Sequence, residues 1–142
     1  MNSEKQYIVG LVRDGDLDLD RFISGIDEVE RLLGKNYVFH DAEVDDIHIL
    51  RKEEVVVIHT WVGYAVDPSK CYDVTWRLEN CINLNLEDYE MKGVSPFVWD
   101  VGFEYEPIYP DRITIYFNTA GIRAVCRHIT ISVGEVEEGT DA

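Results

Sequence analysis

The sequence predicts an α+β fold dominated by β-structure, and three observations carry that expectation. One segment alone has the apolar spacing of an amphipathic helix. From His40 onward the chain reads as short runs of apolar and polar alternation separated by turn signals. Its 142 residues, with 46% hydrophobic content, suit a single domain over 1–142 with a proper core. The expected architecture is a largely antiparallel sheet, curved or sandwiched, with one N-terminal helix packed on it.

Taken in order, "EKQYIVGLVRDG" holds a short apolar run, Tyr7 to Val12, that suits an edge strand within an N-terminal extension of about twenty residues. "RDGDLDLD" follows, with Asp14, Asp16, Asp18 and Asp20 at alternate positions and an Asp-Gly turn signal inside it. From about Leu17 the spacing becomes helical. Phe22, Ile26, Val29 and Leu33 fall four, three and four residues apart, and Ile23 and Leu32 widen the stripe. Asp18, Asp20 or Ser24 would cap its start, and Gly34 its end.

The strands come next. "EEVVVIHTWVGY" is apolar at successive positions, as in a central strand covered on both faces. "CYDVTWRLE" alternates, with Tyr72, Val74, Trp76 and Leu78 on one face and Asp73, Thr75 and Arg77 on the other. "CINLNLED" repeats the pattern through Ile82, Leu84 and Leu86. "PFVWDVGFEYE" places Phe97, Trp99, Val101, Phe103 and Tyr105 on one face. "RITIYFN" follows a Pro-Asp turn, and "AVCRHITISV" ends with Ile129, Ile131 and Val133 in alternation. The tail from about residue 135, with Glu135, Glu137, Glu138 and Asp141, is expected to fray.

Charge narrows the function. With 28 acidic against 13 basic residues the formal net charge is -15. Nucleic-acid backbones and anionic membrane surfaces need Lys and Arg to neutralise them, so neither is an expected partner. A basic protein partner, or simply a soluble surface, is what this balance favours. Cys71, Cys81 and Cys126 are odd in number and lack a CxxC pair, which argues against a disulfide framework and a cysteine zinc site. With no leader-like opening and no long apolar run, the expected compartment is the cytoplasm.

The chemistry-bearing residues concentrate in "YVFHDAEVDDIHILR", where two histidines and four carboxylates fall between His40 and His48. His48 and His59 would face each other across a hairpin, with Glu43 or Asp46 completing a metal shell. Against this, no HxH or HExxH spacing is present, and the expectation is no metal and no cofactor. Acid–base catalysis would need carboxylates in contrasting environments, and a solvated cluster provides none. "CRH" puts Cys126 and His128 on one strand face, where packing is the commoner use. No phosphate-binding Gly-rich loop or nucleophile elbow occurs, so nothing argues for an enzyme. Among the aromatics, Tyr109 and Tyr116 stand apart from the apolar faces, and exposed aromatics among acids are typical of protein-binding surfaces.

A helix ending in Gly, then "FHDAEV", then "IHILR" leading into an apolar strand, resembles the immunity-protein family 50 of bacterial polymorphic toxin systems. The likeness begins near "ISGIDEVERLLG", includes Phe39, His40, Asp41, Ala42, Glu43 and Val44, and closes with "CRHITI". It implies a small β-rich intracellular protein that binds and neutralises a cognate toxin, with a basic nuclease as the toxin its acidity would suit. It also implies a structural role for the motif. Phe39 would enter the core at the helix-to-sheet turn, Asp41 would accept from backbone N–H groups, and Val44, or Ile47 and Ile49, would enter the sheet. Asp14, Asp16, Asp18 and Asp20, together with Asp41, Glu43, Asp45 and Asp46, are the candidate partner-binding residues. The alternatives are a small enzyme or ligand-binding domain using the His/carboxylate cluster, and an acidic interaction module without a toxin.

Overall fold

Among the described residues, alternating side chains sort eleven strands into two sheets whose apolar faces meet. The computed structural model describes residues 7–9, 21–34, 39–63, 69–86, 89, 97–98, 100–105 and 109–136. In chain order the elements are β1 (Tyr7–Val9), β2 (Ile23–Ser24), α1 (Ile26–Leu33), β3 (Ala42–Leu50), β4 (Val55–Val62) and β5 (Cys71–Glu79). Then come β6 (Asn83–Asn85), β7 (Phe97–Val98), β8 (Asp100–Tyr105), β9 (Ile113–Asn118), β10 (Ile122–Cys126) and β11 (His128–Val136). One sheet runs β1-β8-β9-β10-β6 and the other β2-β11-β5-β4-β3-β7. Every pairing is antiparallel except that of β2 with β11. The β-dominated α+β class expected from the sequence is what the chain adopts.

The core is centred on Trp76. Its ring meets Phe39 and Phe117 edge-on, each at a centroid distance of 5.1 Å, which is the geometry aromatic quadrupoles favour. The indole N–H donates to Thr60 Oγ1 at 2.9 Å, and that hydroxyl donates to the Val74 carbonyl at 3.3 Å. Burying both polar groups therefore leaves no donor unmet.

The helix is shorter than its apolar spacing suggests. Phe22, Ile26, Val29 and Leu33 are all buried, but only the last three lie on α1. Ile23 instead pairs with Ile129 of β11, and Gly25 opens the helix at φ 101. Because Gly25 is left-handed, no helix can run through it from Leu17. Ser24 does not cap α1 either; its hydroxyl bonds His128 Nε2 at 2.9 Å. Asp27 and Glu28 in the first turn favour the positive end of the helix dipole, and Gly34 N–H closes the last turn on Glu30 O.

Three strand expectations are corrected. β4 is covered on one face only: Val56, Ile58, Thr60 and Val62 are buried, whereas Val57, His59 and Trp61 are half-buried on the outer face. The "PFVWDVGFEYE" run is broken between sheets. Val98, not Phe97, points inward in β7, and Val101 and Phe103 point inward in β8. Crossing from one sheet to the other shifts the phase, so one alternating face cannot span both strands. Trp99 and the side chain of Tyr105 lie outside the described residues. In "CINLNLED", Ile82 is exposed while Leu84 and Leu86 pack partly against the core.

At the ends, β1 pairs along β8 as an edge strand, and residues 10–12 lie outside the described set. β11 continues through Glu135 and Val136, paired with Tyr72 and Cys71, and residues 137–142 lie outside.

Candidate functional site

The turn from helix to sheet is built by two left-handed residues. Phe39 (φ 63) and Asp41 (φ 70) reverse the chain so that the Phe39 ring drops into the core. A bulky residue at positive φ costs about 1–3 kcal/mol. Burial of a Phe side chain yields about 1.5–3 kcal/mol. Its edge-on contact with Trp76 adds about 0.5–1.5 kcal/mol. Packing wins. Asp41 bonds through its backbone N–H, to the Val98 carbonyl at 2.8 Å. Its carboxylate, expected to accept from backbone N–H groups, instead stands 3.2 Å from His40 Nδ1.

β3 then carries a bulge at Asp45. Val44 pairs with Thr60 and Asp46 with His59, which leaves Asp45 as the extra residue. This slip decides which side chains face outward. Without it, Asp46 and His48 would follow Val44 into the core; with it, Ile47 returns to the inner face. Asp46 and His48 are turned outward beside His59.

The outer face of β3, β4 and β5 thus gathers a cluster. Register places Glu43 beside Trp61 and Trp61 beside Asp73, and in the next row Asp46 beside His59 and His59 beside Thr75. Asp46 Oδ1 lies 3.4 Å from His48 Nε2 and 3.9 Å from His59 Nε2. His59 Nδ1 contacts Thr75 Oγ1 at 3.2 Å, with Asp73 Oδ2 at 3.8 Å. The two imidazoles stand at 89° with centroids 5.8 Å apart. Asp46 and His48 are 51% and 58% exposed and His59 30%. Partial burial raises the Asp45 carboxyl above its ordinary range, and the charges of Asp73, Asp46 and Glu43 raise it further, while His59 opposes them.

Of the predicted partner-binding residues, Glu43, Asp45 and Asp46 come together here. Asp41 sits at the entry to β3, and Asp14, Asp16, Asp18 and Asp20 lie outside the described residues. Sequence reasoning missed Asp73 and Trp61. Alternation along β5 already put Asp73 on the wet face, but only the register of three strands brings it to Asp45.

Other candidates resolve differently. Cys126 and His128 do not share a strand face, because the chain crosses between sheets at Arg127. Cys126 is fully buried, which raises its thiol far above the ordinary range and keeps it a protonated core group. Tyr109 is exposed with the Arg112 guanidinium 4.5 Å from its ring, and Tyr116 donates to Glu104 Oε1 at 2.7 Å. An open cleft of about 540 Å³ lies at the β3–β4 turn, with Ile49, Leu50 and Ile82 among its apolar walls. Cys81 borders it, its thiol raised by burial and donated to Asn83 O.

Comparison with protein-family models, curated proteins and solved structures returned no match. No helix among the described residues is long and apolar enough to cross a membrane.

Proposed function

We propose that this chain is a binding protein, not an enzyme, which neutralises a basic toxin in the manner of an immunity protein acting in the cytoplasm. One observation supports this reading above the others. Glu43, Asp45, Asp46 and Asp73 crowd the outer face of a hydrogen-bonded sheet around the half-buried Trp61, in a chain of net charge -15. Interfaces draw their energy from a few central aromatic or Arg anchors, and charge around such an anchor steers the encounter. A rigid sheet presents both with little ordering cost.

The test uses the toxin encoded beside this chain's gene. Co-expression should protect cells from that toxin, and the two proteins should associate directly. Trp61→Ala should raise the dissociation rate, since a central aromatic acts mainly after contact. The Glu43→Gln, Asp45→Asn, Asp73→Asn variant should slow association with dissociation nearly unchanged. If neither binding nor protection is observed, the toxin reading fails and an acidic module with a different partner takes its place.

A further inference from the structure

We propose that Asp46, His48 and His59 form a binding site for a borderline divalent transition-metal ion of the zinc class. One ligand atom from each residue lies within 4.8 Å of the other two. In a tetrahedral zinc site with bonds of about 2.0–2.1 Å, neighbouring ligand atoms sit about 3.3 Å apart. The Asp46 Oδ1 to His48 Nε2 separation of 3.4 Å already matches. Asp46 Oδ1 to His59 Nε2, at 3.9 Å, needs only a small side-chain rotation. All three side chains stand on paired β-strands, so the backbone holds the set without a flexible loop.

The surroundings of His59 select the correct face of its ring. Nδ1 has the Thr75 hydroxyl at 3.2 Å, which can accept a hydrogen from it, and the Asp73 carboxylate at 3.8 Å, whose charge favours a hydrogen on that nitrogen. The Nε2 lone pair is then left facing the Asp46 carboxylate. In that tautomer two electron-rich atoms oppose each other, an arrangement that a bound cation relieves. An imidazole fixed by an outer carboxylate or hydroxyl is the usual companion of a zinc-bound histidine. Nitrogen donors favour zinc, nickel or copper over magnesium and calcium, which prefer all-oxygen shells. Glu43, Asp45 and Asp73 add local negative charge that concentrates cations. Three protein ligands leave a fourth position for water.

This site needs no toxin partner, so its failure and that of the toxin reading are separable. The experiment titrates zinc chloride alone into the full, untagged, chelator-stripped chain at neutral pH, followed by calorimetry, with cobalt(II) absorption as a second readout. One equivalent should bind. His48→Ala and His59→Ala should abolish saturable binding and the cobalt d–d band, whereas His40→Ala and His128→Ala should keep both. Thr75→Val, which touches no metal, should weaken binding by about 10–100-fold, as loss of an outer-shell partner does. Far-UV circular dichroism establishes that each variant is folded; His48 is exposed enough for its variant to fold. Absence of saturable binding in the wild type overturns the proposal. So does binding that survives both His48→Ala and His59→Ala, or that an equal concentration of magnesium displaces.

Discussion

Phe39 and His40 are adjacent in the sequence and opposite in consequence. Phe39 is 1% exposed against Trp76, while the His40 side chain is 42% exposed at the turn. Phe39→Ala should therefore destabilise by about 3–5 kcal/mol through lost transfer energy and a cavity. His40→Ala should cost under about 1 kcal/mol. Urea denaturation of both variants measures the difference, and equal losses would mean that the turn is built around the imidazole. Asp45 gives a second residue-scale prediction. Its carboxyl is raised in the folded protein, so between the unfolded and folded pKa values the folded state holds more protons. Stability attributable to this group then falls as pH rises through that window. In metal-free protein, Asp45→Asn should be more stable than wild type at neutral pH, with the gain shrinking as pH falls to about 4 and below, the ordinary carboxylate range. A gain that grows on acidification would contradict this.

At the level of elements, the helix start depends on one glycine. Gly25 has φ 101, and a Cβ there would drive into the backbone carbonyl of Ile131, so glycine is needed for both conformation and space. Gly34 shares the positive φ but faces open space. Gly34→Ala should cost about 1–3 kcal/mol of backbone strain. Gly25→Ala should cost more, because β2, α1 and β11 must move apart as well. Denaturation midpoints of the two variants give the order; a smaller loss at Gly25 would show that β2 pairs loosely with β11. The β3 bulge acts at the same scale. A single extra residue keeps Val44, Ile47 and Ile49 on the inner side of the strand while placing Asp46 and His48 beside His59. Ile49 nevertheless remains 57% exposed, because it reaches the open end of the sandwich by the cleft.

For the whole molecule the dominant quantity is the net charge of -15. Such a field acts over roughly a Debye length, about 10 Å at 0.1 M salt and about 3 Å at 1 M. Association with a basic toxin should therefore slow steeply as salt rises, while dissociation changes little. Stopped-flow or surface-based kinetics at several salt concentrations checks this. Tight binding with a salt-independent association rate would leave the interface resting on Trp61, without steering.

The sequence by itself determined the class of fold, the apolar face of β5 and the α1 stripe, because period-2 and helical spacing are local properties of the chain. The step from Val44 to Ile47, three residues instead of two, even carried the trace of the bulge. What it could not reveal was where long-range pairing replaces local preference. Ile23 joins β11 instead of extending the helix, and the inward phase changes between Val98 and Val101 as the chain passes from β7 in one sheet to β8 in the other. The candidate site depends on the same kind of information. Asp46, His48 and His59 meet only because a bulge and a hairpin register put them in one patch, and Asp73 joins them from a third strand. Composition could count those carboxylates and histidines. Only the pairing of strands distant in sequence decided which of them share a face, since cross-strand distance is set by register and not by the order of residues.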